Sequence, residues 1–249
     1  MFDNIKHSLA LDFHENSKSS IMINAYESNV AYKVYPNARA IPLVKNDLNA
    51  NLKSEDRFLN TIFARKSSRN FSSAGITMDV LSKLLSLSCG QFINSDDLQV
   101  RTYASAGARY PIEVYAVVLR ADDLDKGIYH YNIADNTLEH IKKGDYAKDV
   151  RGFYRNQHEH LDLNFPCLIV FSVIFDRSMD KYGEKGYRFA LMDSGHMSQN
   201  FYLVAEYLNL GVVALGAGAE SDDKLDEILS LVSSEENAFY SLAVGHPAT

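Results

Sequence analysis

Three cations and two hydroxyls follow one another in the stretch ARKSSRNF, residues 64–71. In chain order they are Arg65, Lys66, Ser67, Ser68 and Arg69. Guanidinium and ammonium groups bind phosphate through charge-assisted hydrogen bonds, and serine hydroxyls add further donors. The stretch therefore predicts a site for a phosphate or a similar anion. The alternative is a solvated basic helix end, which the helix dipole also stabilises.

A run of very small side chains lies in the stretch ASAGARYP, residues 104–111. The run consists of Ser105, Ala106, Gly107 and Ala108. Residues of this size let a flat ligand come close to the backbone. A tight loop without a ligand is the alternative. The apolar residues that follow predict a strand that anchors the run in a sheet.

Lys181 and Tyr182 are adjacent in the stretch DKYGEKGYRF, where Gly183 and Gly186 follow them. A lysine can act as a base when burial lowers its pKa, and a neighbouring tyrosine can act as an acid. The pair therefore predicts proton transfer over a substrate. A surface loop before a helix is the alternative.

The stretch VVALGAG, residues 212–218, predicts a strand that ends in Gly216, Ala217 and Gly218. The backbone N–H groups of such a segment can meet the edge of a ligand. A simple turn from strand to helix is the alternative.

Two further histidine sites are weaker. His158 and His160 in NQHEHLD suggest a metal, but no cluster of cysteines or carboxylates at ligand spacing supports one, so we expect no metal site. His196 lies in a long helical pattern, where we expect it to be a hydrogen-bonded core residue.

Hydrophobic periodicity predicts the elements that must position these residues. Helices are expected at 55–65, 77–89, 145–156, 187–210 and 221–231, with Thr77 as an N-cap, and strands at 112–119, 127–141 (two strands and a turn), 167–175, 212–215 and 239–245. Helices and strands interleave without regular βαβ spacing. The fold class is therefore α+β with a central sheet.

The chain has 249 residues, a net charge of −7 and 46 % hydrophobic residues, an ordinary globular balance. This acidic balance argues against a dedicated nucleic-acid or anionic-membrane surface. There is no run of about 18 apolar residues and no basic-then-apolar signal sequence, so we expect no membrane span and a cytoplasmic location. Cys89 and Cys167 lie in apolar stretches and are expected to be buried free thiols.

The motifs and their order resemble those of the nitroreductase-like flavoproteins, and within them the SagB-type dehydrogenases. The resemblance covers most of the chain, from ARKSSRNF to LAVGHP, with a weaker likeness in FHENSK and YKVYP. Arg-x-Ser-x-Arg, Pro-Ser-Ala-Gly-Ala-x-Tyr-Pro and Lys-Tyr-Gly-x-x-Gly-Tyr-Arg of that family match residues 65–69, 104–111 and 181–188. Ala104 stands in place of the first proline. Any one motif is weak evidence, whereas several in the same order are specific.

The resemblance implies a nitroreductase-like fold with a mostly antiparallel sheet flanked by helices, in an intertwined homodimer. It implies bound FMN, with the small-residue loop contributed by the partner subunit. The implied cofactor-binding residues are Arg65, Lys66, Ser67, Arg69, Ser105, Ala106, Gly107, Gly216, Ala217 and Gly218. Residues 1–55 would be an N-terminal extension and residues 56–249 the FMN-binding domain.

The same resemblance implies oxidation of thiazolines and oxazolines to thiazoles and oxazoles in a peptide substrate. A cyclodehydratase is the family's habitual partner, and no nucleic-acid or membrane partner is implied. Lys181 and Tyr182 would be the catalytic residues, and which of them is the base stays open. We expect the lysine to be partly buried near the flavin.

One departure from the family pattern follows the last strand, where VGHP lacks a lysine or arginine for the phosphate, so that either His246 substitutes or the contact is lost. Two rival functions remain. One is a general NAD(P)H-dependent nitro- or quinone reductase of the same fold. The other is a flavin-free scaffold subunit of a peptide-modifying complex, against which the intact RKSSR stretch argues.

Overall fold

A computed structural model describes residues 8–18, 33, 36–37, 39, 41–42, 56–155, 162–215 and 219–248. The helices in these ranges are α1 (Leu9–Ser17), α2 (Arg57–Ala64), α3 (Met78–Cys89), α4 (Ala147–Tyr154), α5 (Phe175–Tyr182), α6 (Lys185–Tyr207) and α7 (Ala219–Leu229). The strands are β1 (Gln91–Ile93), β2 (Gln99–Arg101), β3 (Ile112–Val118), β4 (Gly127–Asn132), β5 (Thr137–Lys143), β6 (Cys167–Val173), β7 (Gly211–Leu215) and β8 (Asn237–Gly245).

Six strands form the main sheet in the order β5-β4-β3-β6-β8-β7, and each neighbouring pair is antiparallel. Its inner strand β6 is buried at all seven positions. Alternate residues of β6 enter two different cores, because side chains along a strand point to opposite faces. Ile169 packs with residues of α3 and α6, and Val170 packs with residues of α4 and α7. The predicted α+β class with a central antiparallel sheet is confirmed.

The ends of helix α3 follow local chemistry. The Thr77 hydroxyl accepts a hydrogen bond from the Val80 N–H, as an N-cap does, and Gly90 follows the last helical residue. Both ends were predicted. Helix α6 begins two residues before the predicted Tyr187, and α7 begins at Ala219, before the predicted Ser221.

Helix α1, helix α5 and the hairpin of β1 and β2 were not predicted. The expected strand 167–175 stops at Val173, and its last residue is already the first of helix α5. Ile174 precedes α5 without a side-chain cap, so the sequence gives no start signal.

Both cysteine thiols are free and fully buried, as predicted. Burial raises the pKa of the Cys89 thiol and raises that of Cys167 to about 12. Neither thiol is therefore a nucleophile in this fold. In the described part of the chain, no helix has the length and apolar character that crossing a bilayer requires.

Helix α1 is fixed to the main body at both ends. The Glu184 carboxylate, in the turn between α5 and α6, accepts hydrogen bonds from the Ser8 hydroxyl and the Ala10 N–H, both 2.8 Å long. At the other end, the Lys18 ammonium lies 3.3 Å from the Asp223 carboxylate of α7. The helix therefore braces the turn that follows Lys181 and Tyr182.

We predict that His14→Phe makes stability less sensitive to acid. The His14 ring is buried against Phe175 and Tyr187, with centroids 5.2 and 5.8 Å away. Burial, and secondarily the Lys18 charge, lowers the pKa of His14 below its usual 6.5. The unfolded chain then binds the proton more readily, so His14 destabilises the fold as pH falls through and below that value.

The measurement is the free energy of unfolding in urea at pH 8 and pH 5.5 for both proteins. Phenylalanine cannot titrate, so the loss on acidification should be smaller in the variant. Equal losses in the two proteins would contradict the assignment of a depressed pKa to this ring.

Candidate active site

The small-residue loop between β2 and β3 has an unusual backbone. Gly107, Ala108 and Tyr110 all lie in the left-handed region, with φ of 59°, 54° and 46°. Ala106–Ala108 forms a single 3₁₀ turn. Non-glycine residues avoid this region, so the surrounding structure must hold the loop.

Gly107 lies directly against the predicted Lys-Tyr pair. A Cβ atom on Gly107 would lie 2.2 Å from the Tyr182 hydroxyl and 2.7 Å from the Lys181 Nζ atom. The two polar atoms thus converge on the space that a side chain at 107 would fill. The structure therefore brings together three of the predicted site residues within one chain.

The end of helix α5 positions this pair. Lys181 and Tyr182 are its last two residues, and Gly183 then turns the chain in a left-handed conformation, with φ of 57°. A Cβ atom on Gly186 would lie 2.6 Å from the Met179 nitrogen, so only glycine permits this packing of α6 on α5. Both glycines of the motif are thus explained by backbone geometry.

Lys181 is exposed in the described chain, and Tyr182 is half-buried with its ring edge against Phe189, 4.9 Å between centroids. The expectation that Lys181 is partly buried concerns the flavin-bound site and stays a prediction. A ligand or a second subunit above the loop could cover its ammonium group.

Two arginines that sequence reasoning missed join the loop to α5. The Arg109 side chain donates to the Arg177 carbonyl, 2.8 Å away, and the Arg177 guanidinium donates to the Tyr110 carbonyl at 3.3 Å. Arg177 also pairs with the Glu113 carboxylate of β3. Arg109 fills the variable position of the 104–111 motif and Arg177 lies outside every motif, so the sequence gave no signal of this contact.

Helix α6 holds the loop from below. The Asp193 carboxylate accepts hydrogen bonds from the Ser105 hydroxyl at 2.5 Å and from the Ala106 N–H at 3.3 Å. Burial raises the pKa of the Asp193 carboxyl, while these hydrogen bonds oppose the shift. His196 Nδ1 lies 3.0 Å from the Ala104 carbonyl oxygen. His196 is exposed rather than part of the core, which corrects the sequence-based expectation.

The basic stretch lies at the other end of the same helix. Ser67 forms a parallel bridge to Val212 of β7, and its hydroxyl lies 3.5 Å from the Tyr202 hydroxyl of α6. The Arg65 guanidinium stands over the Tyr202 ring, 5.5 Å from its centroid. Lys66 and Arg69 are exposed.

None of the three cations of this stretch has an acidic partner within the part of the chain that the structure describes; they are Arg65, Lys66 and Arg69. Adjacent unpaired cations repel one another, and an anion relieves that repulsion. The arrangement is therefore suited to a phosphate.

The loop and the basic stretch do not meet within one chain. Asp193 and Tyr202 are nine residues apart on α6, which places them about 13 Å apart at 1.5 Å per residue. No hydrogen bond or ion pair joins the two groups across residues 56–155 and 162–215. Gly216, Ala217 and Gly218 lie outside the described residues.

His246, at the position where the family pattern has a cation for the phosphate, is close to the basic stretch. The His246 carbonyl oxygen accepts a hydrogen bond from the Ser72 N–H, 2.9 Å away, and Pro247 bridges to Phe71. His158 and His160 lie outside the described residues, and among those described no group of potential ligands could hold a metal ion.

Helices α2 and α6 each expose apolar side chains to the solvent. Helix α2 has no buried residue, although its apolar side chains share a face. The exposed apolar residues on the two helices are Phe58, Ile62, Leu191, Met192 and Tyr207.

A family model described as "Nitroreductase family" matches residues 62–246 of this chain. The chain belongs to the nitroreductase family. The predicted relationship to nitroreductase-like proteins is thus confirmed.

Among members of the nitroreductase family, a protein of Methanocaldococcus jannaschii named as a nitroreductase is 29 % identical over 72 % of this chain and 85 % of its own length. The microcin B17-processing protein McbC of Escherichia coli is 34 % identical over 44 % of this chain. That alignment spans 42 % of McbC, less than half of its length.

The fold also matches a chain of the solved E. coli microcin synthetase McbBCD complex with truncated pro-MccB17 bound. The TM-score is 0.73 at 21 % identity, and the match covers 99 % of this chain and 91 % of that one. At this identity the match establishes the fold alone.

We predict that Gly107→Ala impairs activity more than stability. The new Cβ would strain the left-handed backbone by about 1–2 kcal/mol and displace the Lys181 and Tyr182 side-chain ends. Displacement of reacting groups by about 1 Å can cost ~100-fold in rate. Thermal unfolding measures the effect on stability. Turnover of a peptidyl thiazoline measures the effect on activity.

Gly152→Ala in α4 is the matched control, because a Cβ atom there meets nothing within 4 Å. It should retain full activity and gain about 0.5–1 kcal/mol of stability. Equal activity in the two variants would contradict the proposed closeness of position 107 to the chemistry.

Proposed function

We propose that this protein is an FMN-dependent dehydrogenase that oxidises thiazolines or oxazolines of a peptide to thiazoles or oxazoles. The observation that carries the proposal is the convergence of Lys181 Nζ and Tyr182 Oη on the space above Gly107. A substrate proton removed there needs a base beside a small-residue loop. A simple two-step reductase needs no such base.

The residues present fit FMN. The cations Arg65, Lys66 and Arg69, which have no acidic partner among the described residues, would hold the phosphate together with the Ser67 hydroxyl. The loop of Ser105, Ala106 and Gly107 would lie against the flat ring, and the segment Gly216, Ala217 and Gly218 near its edge. Bound FMN would supply a hydride acceptor, which molecular oxygen then regenerates.

The chain's own contribution is proton removal and orientation. Oxidation of an azoline takes a proton from the ring carbon next to the carbonyl and a hydride from the adjacent ring carbon. Either Lys181 Nζ or Tyr182 Oη would receive that proton, and the receiving atom must be unprotonated beforehand. Because Lys181 is exposed in the single chain, the substrate and a second subunit would exclude water from it.

A homodimer completes this site. The basic stretch and the loop lie at separate positions along α6, so one subunit's loop would serve the other subunit's phosphate pocket. The exposed apolar side chains of α2 and α6 support such an interface, since a second subunit would bury them. The FMN-binding domain would comprise residues 56–249, with residues 1–55 as its extension.

Similarity to McbC supports a peptide as the substrate, because that protein is named for processing a peptide microcin. The chain whose fold matches is part of the McbBCD synthetase complex. The family resemblance adds a cyclodehydratase as the partner that we propose for this chain.

The M. jannaschii match, which covers more of this chain than McbC does, favours a second candidate function. This is a general NAD(P)H-dependent nitro- or quinone reductase. Fast aerobic NADPH consumption with a nitroaromatic, without oxidation of a peptidyl thiazoline, would establish this alternative and overturn the first.

We predict that Arg65→Gln and Arg69→Gln each weaken FMN binding by ~10-fold or more, because each removes a charge-assisted contact to phosphate. Fluorescence titration with FMN and with riboflavin, which lacks the phosphate, measures the effect. Riboflavin binding should change little. Lys143→Gln, an exposed cation on β5, is the control and should bind FMN normally. Normal FMN affinity in both arginine variants would contradict the phosphate site.

We predict that Lys181→Ala keeps its yellow flavin colour but loses oxidation of a peptidyl thiazoline, by ~100-fold or more if it is the base. Lys185→Ala, an exposed lysine at the start of α6, is the matched control and should stay active. Tyr182→Phe tests the other candidate in the same assay. Full activity of Lys181→Ala would remove that lysine from the mechanism.

A further inference from the structure

Asp193 is a buried carboxylate that no sequence motif singled out. Its side chain is on α6, and the residue is only 2 % exposed. Both carboxylate oxygens are engaged, one by the Ser105 hydroxyl and the other by the Ala106 N–H. A carboxylate so enclosed does not face a substrate, and its hydrogen bonds all go to one loop.

The contacts of Asp193 continue through the loop. The Ser105 hydroxyl that donates to Asp193 also accepts a hydrogen bond from the Tyr110 N–H, 2.9 Å away. Ser105 and Tyr110 are the two ends of the left-handed turn, so this hydroxyl closes the loop on itself. The Asp193 carboxylate therefore holds the Ser105 hydroxyl in place, and that hydroxyl in turn closes the loop.

The loop would not hold this shape by itself. Two of its three left-handed residues, Ala108 and Tyr110, carry a Cβ and are disfavoured in that conformation in a free chain. The His196 ring contacts the Ala104 carbonyl from the next turn of α6, one helical turn beyond Asp193. Helix α6 thus supplies the external support that the turn requires.

The same helix also follows the Lys-Tyr pair, since α6 begins three residues after Tyr182. Helix α6 therefore contacts the loop directly, and it also follows closely on the helix end that carries Lys181 and Tyr182. Any movement of the loop relative to α6 changes the space between Gly107 and the two polar side-chain ends.

We infer that Asp193 is a positioning residue, which clamps the 104–110 loop through Ser105 and Ala106 so that Gly107 meets Lys181 and Tyr182. This inference rests on the proposed function for its effect on turnover. The clamp itself is a statement about the loop, and it can be tested without any substrate.

The first readout is amide hydrogen exchange, by mass spectrometry, of a peptide covering residues 104–110 in the purified chain. The Ala106 and Tyr110 N–H groups are the donors that the clamp protects. Exchange in Asp193→Ala should be ~10-fold or more faster than in the wild type, because a buried charge-assisted hydrogen bond is lost. Asp193→Asn keeps an acceptor for Ala106 and should lie between the two.

Ser194→Ala is the matched control. Ser194 is a buried neighbour on the same helix, but its hydroxyl donates to the Leu191 carbonyl within α6 and forms no hydrogen bond with the described loop residues. Its exchange at 104–110 should equal that of the wild type. Unchanged exchange in both Asp193 variants, or equally fast exchange in Ser194→Ala, would overturn the inference.

The second readout is turnover of a peptidyl thiazoline by Asp193→Asn, which preserves the shape of the side chain. We expect kcat to fall by ~10–100-fold with KM within about threefold, because the clamp orients reacting groups rather than binding substrate. An unchanged kcat with a loosened loop would overturn the positioning role. A wild type that fails to oxidise the thiazoline would instead refute the proposed function, while the exchange readout still tests the clamp.

Discussion

Lys181 and Tyr182 can hold their polar ends against the loop backbone only because position 107 has no side chain. The distances of 2.2 and 2.7 Å from an added Cβ atom leave no room for even a methyl group without displacing one of them. The left-handed backbone conformation at residue 107 also favours glycine. The rest of the site is organised around this close approach: α5 ends there, α6 supports it, and Arg109 and Arg177 fasten its edges.

The basic stretch depends on a different constraint, which is electrostatic. The chain carries a net charge of −7, yet three cations without described acidic partners stand together beside β7. Tyr202 organises this region, since its hydroxyl accepts the Ala214 N–H at 2.7 Å and its ring lies under Arg65. A local positive potential on an acidic protein attracts anions selectively, because the surrounding surface repels them.

Much of the fold could be predicted because its signals are local. The continuous apolar run of β6 and the threonine cap of α3 each depend on neighbouring residues only. Helix α5 could not be predicted, because it starts directly after a strand without a capping side chain. The motifs identified Gly107 and the Lys-Tyr pair, but not their contact, which joins positions more than 70 residues apart.

Other features of the site required the three-dimensional arrangement. Asp193 lies in a helical stripe where periodicity explains its burial, and nothing in the sequence connects it with a loop 88 residues earlier. The exposure of Lys181 in the described chain likewise could not be read from the motif, because exposure depends on elements that are distant in sequence. Sequence patterns thus identified candidate chemical groups, whereas the distances between these groups required the three-dimensional structure.

The position of β8 within the sheet has a consequence for how this molecule is made. This last described strand lies between β6 and β7, so β7 has no other strand to pair with in the main sheet. During synthesis, β7 (Gly211–Leu215) cannot pair within the main sheet until residues 237–245 have been made. Ser67 and Ser68 contact Val212 of that same strand, so a feature near the start of the domain acquires its final form among the last events of folding.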